Sequence, residues 1–525
     1  MTAPTHSWAN SRGPLAMLVA AVTASLLLLL LVRNVMTHPP MYDELLHVLS
    51  AHGVLQTGEP AIADGVYDRA VPFTRAVAVA YRLRGESLES ARLPALLSAI
   101  ALLVLLGSWV TSRAGVVAGT IAAVVLAIST ATIGLATFVR FYTAQALLVA
   151  IMFISLYEAT VPGRSWKVRI PLIGLALLAV ALALELQITT IIAIGAAVCG
   201  VAAALAVDNR EALATAIRAR VALYTALLLA AIAAAVIVEW QTHIIANLTQ
   251  APVWAEGRSR QLLFYAQQLG ADLPLFWPLY PIAAVAVIAA YGRLGAFCVA
   301  VVLSALAVHS ISGAKAIRYV YYILPFVCAV IGCAAALVVE PSRRWLASVA
   351  PRLGTTAAAV VLVLGVPAFL SQEGQRTLRF LAGRASFHDL TMYSSETDWL
   401  LALPALKPAL DSADTVIVSA GVKGLYFLGR YDFELNASVV AESETGKEFG
   451  RDPRTGRHVI GAPESVAEVI ARAGRKLIVV DGDKLGQPVG VPDAVVDLIR
   501  ARCTALTLPP ASGVFAWSCA PGNAG

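Results

Sequence analysis

The sequence predicts a polytopic α-helical membrane protein, with about eleven transmembrane helices and a C-terminal extracytoplasmic α/β domain. Three observations predict it. Of the 525 residues, 58% are hydrophobic and 14% are charged, against about 25% charged in an average soluble domain. Apolar runs recur through residues 1–370 at the length a membrane helix needs, about 20 residues. From residue 371 to 525 that pattern gives way to mixed polar and apolar sequence. A mean hydropathy of +0.75 excludes a soluble single-domain enzyme, a disordered chain and a nucleic-acid binder. The net charge of +6 would suggest a polyanionic partner in a soluble protein. In a membrane protein it first marks basic cytoplasmic loops.

The expected spans lie near residues 14–32, 93–110, 115–135, 144–160, 170–186, 188–207, 221–240, 274–291, 294–311, 319–339 and 355–370. The first run follows Arg12 and has no small-residue cleavage site soon after it, so it reads as an uncleaved span. With the N-terminus inside, the inner loops carry Arg113, then Arg164, Lys167 and Arg169, then Arg210, Arg218 and Arg220, then Arg293, then Arg343, Arg344 and Arg352. Every inner loop is then basic, as the positive-inside rule requires. An odd number of spans places the C-terminal region outside. Cys503 and Cys519 lie in that region and can pair in an oxidising compartment. Cys199, Cys298, Cys328 and Cys333 lie in apolar runs and read as inert small hydrophobes.

Most outer connections are short, but the first, residues 33–92, is long. Its segments 42–55 and 70–83 have apolar residues at helical spacing and read as amphipathic helices in the interface. The outer loop 241–273 carries Trp254, Phe264 and Tyr265, aromatics that favour the interface. In the C-terminal domain, 415–419 and 476–480 read as buried strands, 465–472 and 494–500 as helices, and 451–456 and 486–492 as loops.

The chemistry centres on Tyr42-Asp43-Glu44-Leu45-Leu46-His47, just after the first span. A carboxylate held at the membrane surface can act as a general base, because partial burial raises its pKa toward the working range. The structural alternative is a helix start, where acidic residues complement the macrodipole; for an isolated Asp-Glu pair that is the commoner case. Arg92, Arg140, Lys315 and Arg318 all fall on the expected outer side, with Tyr142 and Tyr319 beside them, and Arg69, Arg75, Arg82 and Arg84 lie in the first outer loop. Outer loops should be poor in cations. Binding a phosphate or pyrophosphate is one reason for them; snorkelling toward lipid headgroups is the other. Glu185 closes the fifth span and either orients a substrate hydroxyl, pairs with an outer Arg, or simply ends a helix at the interface. Asp43, Glu44 and His47 could also hold Mg or Mn, although their spacing is not that of a His-Glu-x-x-His site. There is no P-loop, dinucleotide glycine fingerprint or Gly-x-Ser-x-Gly elbow.

Four stretches together resemble the GT-C class of polyprenyl-phosphate-sugar-dependent glycosyltransferases, in particular the superfamily of protein O-mannosyltransferases and lipid A aminoarabinose transferases. They are Tyr42-Asp43-Glu44 with His47, Gly85-Glu86-Ser87 through Ala91-Arg92-Leu93-Pro94-Ala95-Leu96, Arg140-Phe141-Tyr142, and Lys315-x-x-Arg318-Tyr319 with Pro325. The resemblance covers the membrane half, from about Arg33 to Val339, and implies a GT-C-like fold for the membrane domain at residues 1–370, which precedes the extracytoplasmic domain at 371–525. It implies Asp43 as the base, with Glu44 beside it. Arg92, Arg140, Lys315 and Arg318 would stabilise the leaving phosphate, and Tyr42, His47, Tyr142, Glu185 and Tyr319 would contact substrate. The implied reaction moves a sugar from a polyprenyl-phosphate donor to a glycan, glycolipid or protein acceptor, with inversion at the anomeric carbon. The partners are then the lipid-linked donor, membrane lipids and the acceptor, with no nucleic acid. No nucleotide or redox cofactor is implied. The expected location is a bacterial inner membrane. A transporter or flippase for lipid-linked glycans, a polymerase of them, and a membrane-anchored scaffold are the rival readings. A transporter should show repeat symmetry or matched broken helices, and neither stands out in the sequence.

Overall fold

The computed structural model describes residues 13–33, 35–36, 38–210, 260–349 and 397–520, with isolated positions 375, 379 and 382. The expected spans 221–240 and 355–370 lie outside the described residues, as do Trp254 and the greater part of loop 241–273. The described chain forms two compact units. One comprises Met1–Val35, Ala95–Thr137 and Phe141–Met392; the other comprises Met36–Pro94, Phe138–Arg140 and Tyr393–Gly525. The first outer loop thus groups with the C-terminal domain, where the sequence places it with the membrane domain.

The membrane unit is helical. Its elements are α1 (Gly13–Val32), α4 (Leu88–Ala114, from Ala95 onward), α5 (Val116–Ile128), α6 (Thr130–Ala136), α7 (Tyr142–Ala159), α8 (Trp166–Leu186), α9 (Thr190–Asp208), α10 (Phe264–Asp272), α11 (Tyr280–Tyr291), α12 (Arg293–Ile311), α13 (Ile317–Val320) and α14 (Leu324–Val349). Among the described residues, six helical stretches are long and apolar enough to cross a membrane, and a bent pair makes a seventh. The chain is an integral membrane protein. Two differences from the expected spans have local causes. The run at 274–291 becomes helical only at Tyr280, because Pro274 and Pro278 lack the N–H groups a continuous helix needs. The run at 115–135 is not straight. It is broken into α5 and α6 with a 65° bend.

That bend is built around a buried acid. Asp272, at the end of α10, accepts hydrogen bonds from the hydroxyls of Ser129 (2.7 Å) and Thr130 (2.6 Å) and from the Ala131 N–H (2.9 Å). Ser129 also caps α6 by accepting the Thr132 N–H. Side chain and backbone donors left over at a helix start are thus satisfied by one carboxylate and one cap. At the other end of this unit, Glu158 of α7 receives the Trp109 indole N–H (3.1 Å) and pairs with Arg113 and Arg164. Arg293 pairs with Asp208. Three of the basic residues expected in inner loops are therefore pinned to acids at helix ends.

The second unit contains α2 (Tyr42–Thr57), a two-stranded hairpin β1 (Ala61–Ile62) and β2 (Gly65–Val66), α3 (Val71–Arg84) and the start of α4. Both amphipathic helices expected in the first loop form, with bounds close to those read from the sequence. The C-terminal domain adds β3 (Thr415–Val418), β4 (Phe433–Leu435), β5 (His458–Ile460), β6 (Lys476–Asp481), β7 (Thr504–Ala505) and β8 (Val514–Cys519), in the sheet order β5-β4-β3-β6-β8-β7. The first four strands are parallel, and β8 runs antiparallel to β6 and β7. Both faces are covered. Ile417, Leu435, Ile460 and Ile478 pack under the helices Pro463–Ala471 and Asp493–Arg502. Val416, Val418, Leu477 and Val479 pack on the other face with Trp399 and Leu406. A sheet buried on both sides explains why β3 and β6 read as continuous apolar runs. Cys503 and Cys519 are joined by a disulfide.

The two parts of this unit meet in three ways. Leu45, Leu46, Ile62 and Tyr67 form one apolar cluster with Val422 of the C-terminal domain. The hairpin donates from Asp64 N–H to Thr455 O (3.1 Å) and from Val66 N–H to Pro453 O (3.2 Å). Gly65 and Gly456 come together there: a Cβ on Gly65 would lie 2.5 Å from the Gly456 nitrogen.

Removing the acid at the bend tests its role. Asp272→Ala leaves two hydroxyls and an N–H without their acceptor, and is expected to cost about 3 kcal/mol. The thermal unfolding midpoint in detergent should fall clearly, and fall less for Asp272→Asn.

Candidate active site

The acidic pair Asp43-Glu44 occupies the first turn of α2, where negative charge complements the helix N-terminus. The two carboxylates then part. Glu44 is 1% exposed. It takes a two-pronged hydrogen bond from Arg92, Nε to Oε1 and Nη2 to Oε2, both at 3.0 Å. It also accepts the N–H of Met41 (2.9 Å) and of Val139 (3.0 Å). Arg92 completes the arrangement by donating Nη1 to the carbonyls of Met36 (2.7 Å) and His38 (2.9 Å). Four chain segments are gathered on one ion pair. Asp43, the neighbour, is half-buried.

The sequence places Glu44 among the catalytic residues and Arg92 among the phosphate ligands. In the structure Glu44 is enclosed by Arg92 and two backbone donors. Arg92 lies inside α4 instead of before a span, because the helix starts at Leu88 and carries Pro94 within it. Arg140 is also buried, and donates Nη1 to the Tyr67 hydroxyl (2.9 Å) and to the Asp43 main-chain carbonyl (3.3 Å). It sits against the residue expected to be the base.

His47, expected to contact substrate, is wholly buried. Its Nδ1 is 2.8 Å from the Thr74 hydroxyl, and its ring stands edge-on to Tyr67 and Phe73. Burial, reinforced by the cations of Arg140 and Arg69, holds its pKa well below the ordinary imidazole value. A neutral His47 joins α2 to α3. Asp43, Glu44 and His47 therefore do not converge as a ligand set, since Glu44 turns to Arg92 and His47 to Thr74. Among the described residues no group of three His, Cys, Asp or Glu side chains is arranged to hold a metal.

Arg318, Tyr142, Tyr319, Lys315 and Glu185 lie in the membrane unit. Arg318 is half-buried, with its guanidinium 5.9 Å from the Tyr142 ring centre and 5.6 Å from that of Tyr319. Tyr142 and Tyr319 meet edge-on at 6.3 Å. The faces of these rings hold the cation in place. Lys315 is fully buried and donates Nζ to the carbonyls of Ser310 (2.6 Å) and Gln261 (3.0 Å). Its ammonium ties the loop together. Glu185 is exposed at the last turn of α8. Arg69, Arg75, Arg82 and Arg84 are exposed in the first loop.

Sequence reasoning missed Tyr67, which holds Arg140, and the Val139 N–H, which holds Glu44. A main-chain donor leaves no mark in the sequence, and Tyr67 sits in no motif. It missed Asp272 as well. Its only signal was an acid near a long apolar region, which is a general reason to suspect a role.

No family profile matches the sequence, and no curated protein does. Solved structures do. ArnT from Cupriavidus metallidurans, bound to undecaprenyl phosphate, matches with a TM-score of 0.58 at 13% identity, over 97% of this chain and 98% of that one. The same protein in its apo state gives 0.57 at 13% identity, over 95% and 97%. The archaeal oligosaccharyltransferase AglB from Archaeoglobus fulgidus, in complex with an inhibitory peptide and a dolichol-phosphate, gives 0.56 at 11% identity, over 90% of this chain and 70% of that one. The chain has the GT-C fold.

The Glu44–Arg92 pair should be strongly coupled. Arg92→Ala leaves a buried carboxylate uncompensated and is expected to cost about 3–5 kcal/mol. Adding Glu44→Ala should recover part of that loss. Unfolding midpoints of the two single variants and the double variant measure the coupling.

Proposed function

We propose that the chain is a membrane glycosyltransferase that moves a sugar from a polyprenyl-phosphate donor to an extracytoplasmic acceptor, with Asp43 as the base. The observation that carries this reading is the division between the two acids: Glu44 is enclosed by Arg92 while Asp43 is half-buried on the same helical turn. The bidentate pair ties the turn that carries Asp43 to α4. The likeness to ArnT bound to undecaprenyl phosphate and to AglB bound to a dolichol-phosphate supports the lipid-linked donor.

The chemistry follows in one displacement. The acceptor hydroxyl oxygen attacks the anomeric carbon as its proton passes to Asp43. The bond from that carbon to the phosphate oxygen breaks, and polyprenyl phosphate leaves with the electron pair. The new bond forms on the opposite face, so the carbon inverts. Negative charge grows on the leaving oxygen, where a fixed cation lowers the barrier most. Arg318, set against two tyrosine rings, takes that role. Arg92, Arg140 and Lys315 are assigned as positioning residues instead of phosphate ligands. Arg140 acts through the Asp43 carbonyl, Arg92 through Glu44. Glu185 and Tyr319 are assigned to substrate contact.

The proposed location is a bacterial inner membrane, with the N-terminus cytoplasmic and the C-terminal domain outside. The Cys503–Cys519 bond supports an oxidising side for that domain. Thiol alkylation of denatured, unreduced protein should then modify only the four cysteines Cys199, Cys298, Cys328 and Cys333.

Bound lipid tests the reaction. Wild type and Asp43→Asn are purified in mild detergent and their lipids identified by mass spectrometry. Loss of the base should slow transfer by about 100- to 10,000-fold. The variant should therefore retain a polyprenyl-phosphate-monosaccharide, while wild type carries bare polyprenyl phosphate. A long lipid-linked glycan equally present in both would overturn the reading in favour of transport or polymerisation.

A further inference from the structure

At the end of the membrane unit away from Tyr142, two helix pairs part. α8 packs along α7, and α9 packs along α12. The short turn 187–189 joins α8 to α9, yet their other ends enclose a cavity of about 740 Å³. α8 lines it with Trp166, Arg169 and Ile173, α9 with Leu205 and Asp208, and α7 with Leu156. The helix rise puts this end of α7 about 27 Å from Tyr142, so the cavity is separate from the candidate active site. Its mouth is cationic. Arg113 and Arg164 share Glu158, and Asp208 is met by Arg293, which also donates Nη2 to the Thr160 hydroxyl (2.6 Å). Arg169 has no acid partner among the described residues. Its Nη2 reaches the Val161 carbonyl only at 3.4 Å, its guanidinium lies 5.6 Å from the Trp166 ring centre, and its buried Nε–H has no acceptor among the described residues. A cation drawn out of water without an anion is costly. The start of α8 beside it has no side-chain cap, so its N–H groups add a second attraction for an anion. Trp166 is exposed, as indoles are at the polar boundary of a membrane. From there to Ile173, about 10 Å along α8, the lining turns to hydrocarbon. Water finds no partners in such a space, and an acyl chain does.

We propose that this cavity binds an anionic phospholipid, with the phosphate on Arg169 and the start of α8, and one acyl chain lying between Leu156, Ile173 and Leu205. The site stands independently of the reading of Asp43 as the base. On the proposed orientation it takes its lipid from the cytoplasmic leaflet, where basic pockets between helices recognise anionic headgroups. A lipid seated there bridges the α7–α8 pair to the α9–α12 pair, and its binding stabilises the folded membrane unit. Lys167, on the same turn of α8 as Arg169, is exposed and does not line the cavity. It provides a matched control for charge alone.

Native mass spectrometry of the full-length protein reads the site. The protein is delipidated in detergent and titrated with dioleoyl phosphatidylglycerol, or with the zwitterionic dioleoyl phosphatidylethanolamine. Wild type should bind its first phosphatidylglycerol about tenfold more tightly than its first phosphatidylethanolamine. Arg169→Gln should abolish that preference, and Lys167→Gln should keep it. Leu205→Trp fills the apolar part of the cavity and should weaken binding of both lipids. The unfolding midpoint should rise with added phosphatidylglycerol in wild type and in Lys167→Gln, and stay level in Arg169→Gln. Equal binding of the two lipids by wild type overturns the proposal, as do equal effects of Arg169→Gln and Lys167→Gln. Displacement of phosphatidylglycerol by inorganic phosphate overturns it too, in favour of a site for the free ion. If Leu205→Trp does not fold, the two charge variants decide alone.

Discussion

The buried ion pair between Glu44 and Arg92 is the interaction on which the candidate site depends. Taking a carboxylate and a guanidinium out of water is costly, and the pair is tolerable because both groups are met by several hydrogen-bond partners. Glu44 receives Arg92 through both oxygens and two backbone N–H groups; Arg92 donates on to two carbonyls. The partners come from α2, α4, the chain before α2 and the 138–140 segment. None of these could shift by an ångström without leaving a buried polar group unmatched. The pair is thus a geometric constraint first and a source of stability second.

The same logic recurs at the other buried acids. Asp272 gathers the donors that the α5–α6 break leaves behind, and the chain that leaves α6 leads directly to Val139 and Arg140. Glu158 ties α4, α7 and the turn before α8. Lys315, a buried cation, does for its loop what these acids do for helices, by bonding to two carbonyls. In each case an ionisable residue in an apolar region serves backbone geometry. Asp43 and Arg318 are half-buried by comparison.

The first loop and the C-terminal domain share one core, one strand-like backbone contact and an ion pair between Asp64 and Arg457. A glycine on each side makes this closeness available, because any side chain at Gly65 or Gly456 would overlap the opposite backbone. The C-terminal domain is therefore built into the loop that carries the acidic motif. A reading of the chain as a membrane domain followed by a separate appendage misses this, since the two stretches are more than 300 residues apart.

The sequence by itself determined the features that depend on local composition and periodicity. Among the described residues the long apolar runs give helices over most of their length, the amphipathic pattern marked α2 and α3 to within about two residues, and continuous β-branched runs marked β3 and β6. It also determined which residues could be reactive, because charged groups in outer loops are conspicuous. The tertiary structure decided which of them are enclosed by partners. Glu44 and Asp43 are adjacent and chemically alike, yet one meets Arg92 from 48 positions away and the other does not lie in that pair. Short strands such as β4 and β5 were likewise illegible, since three residues carry no period. The physical reason is common to both. A buried charge takes its meaning from the partners that replace its water, and those partners are brought to it by folding.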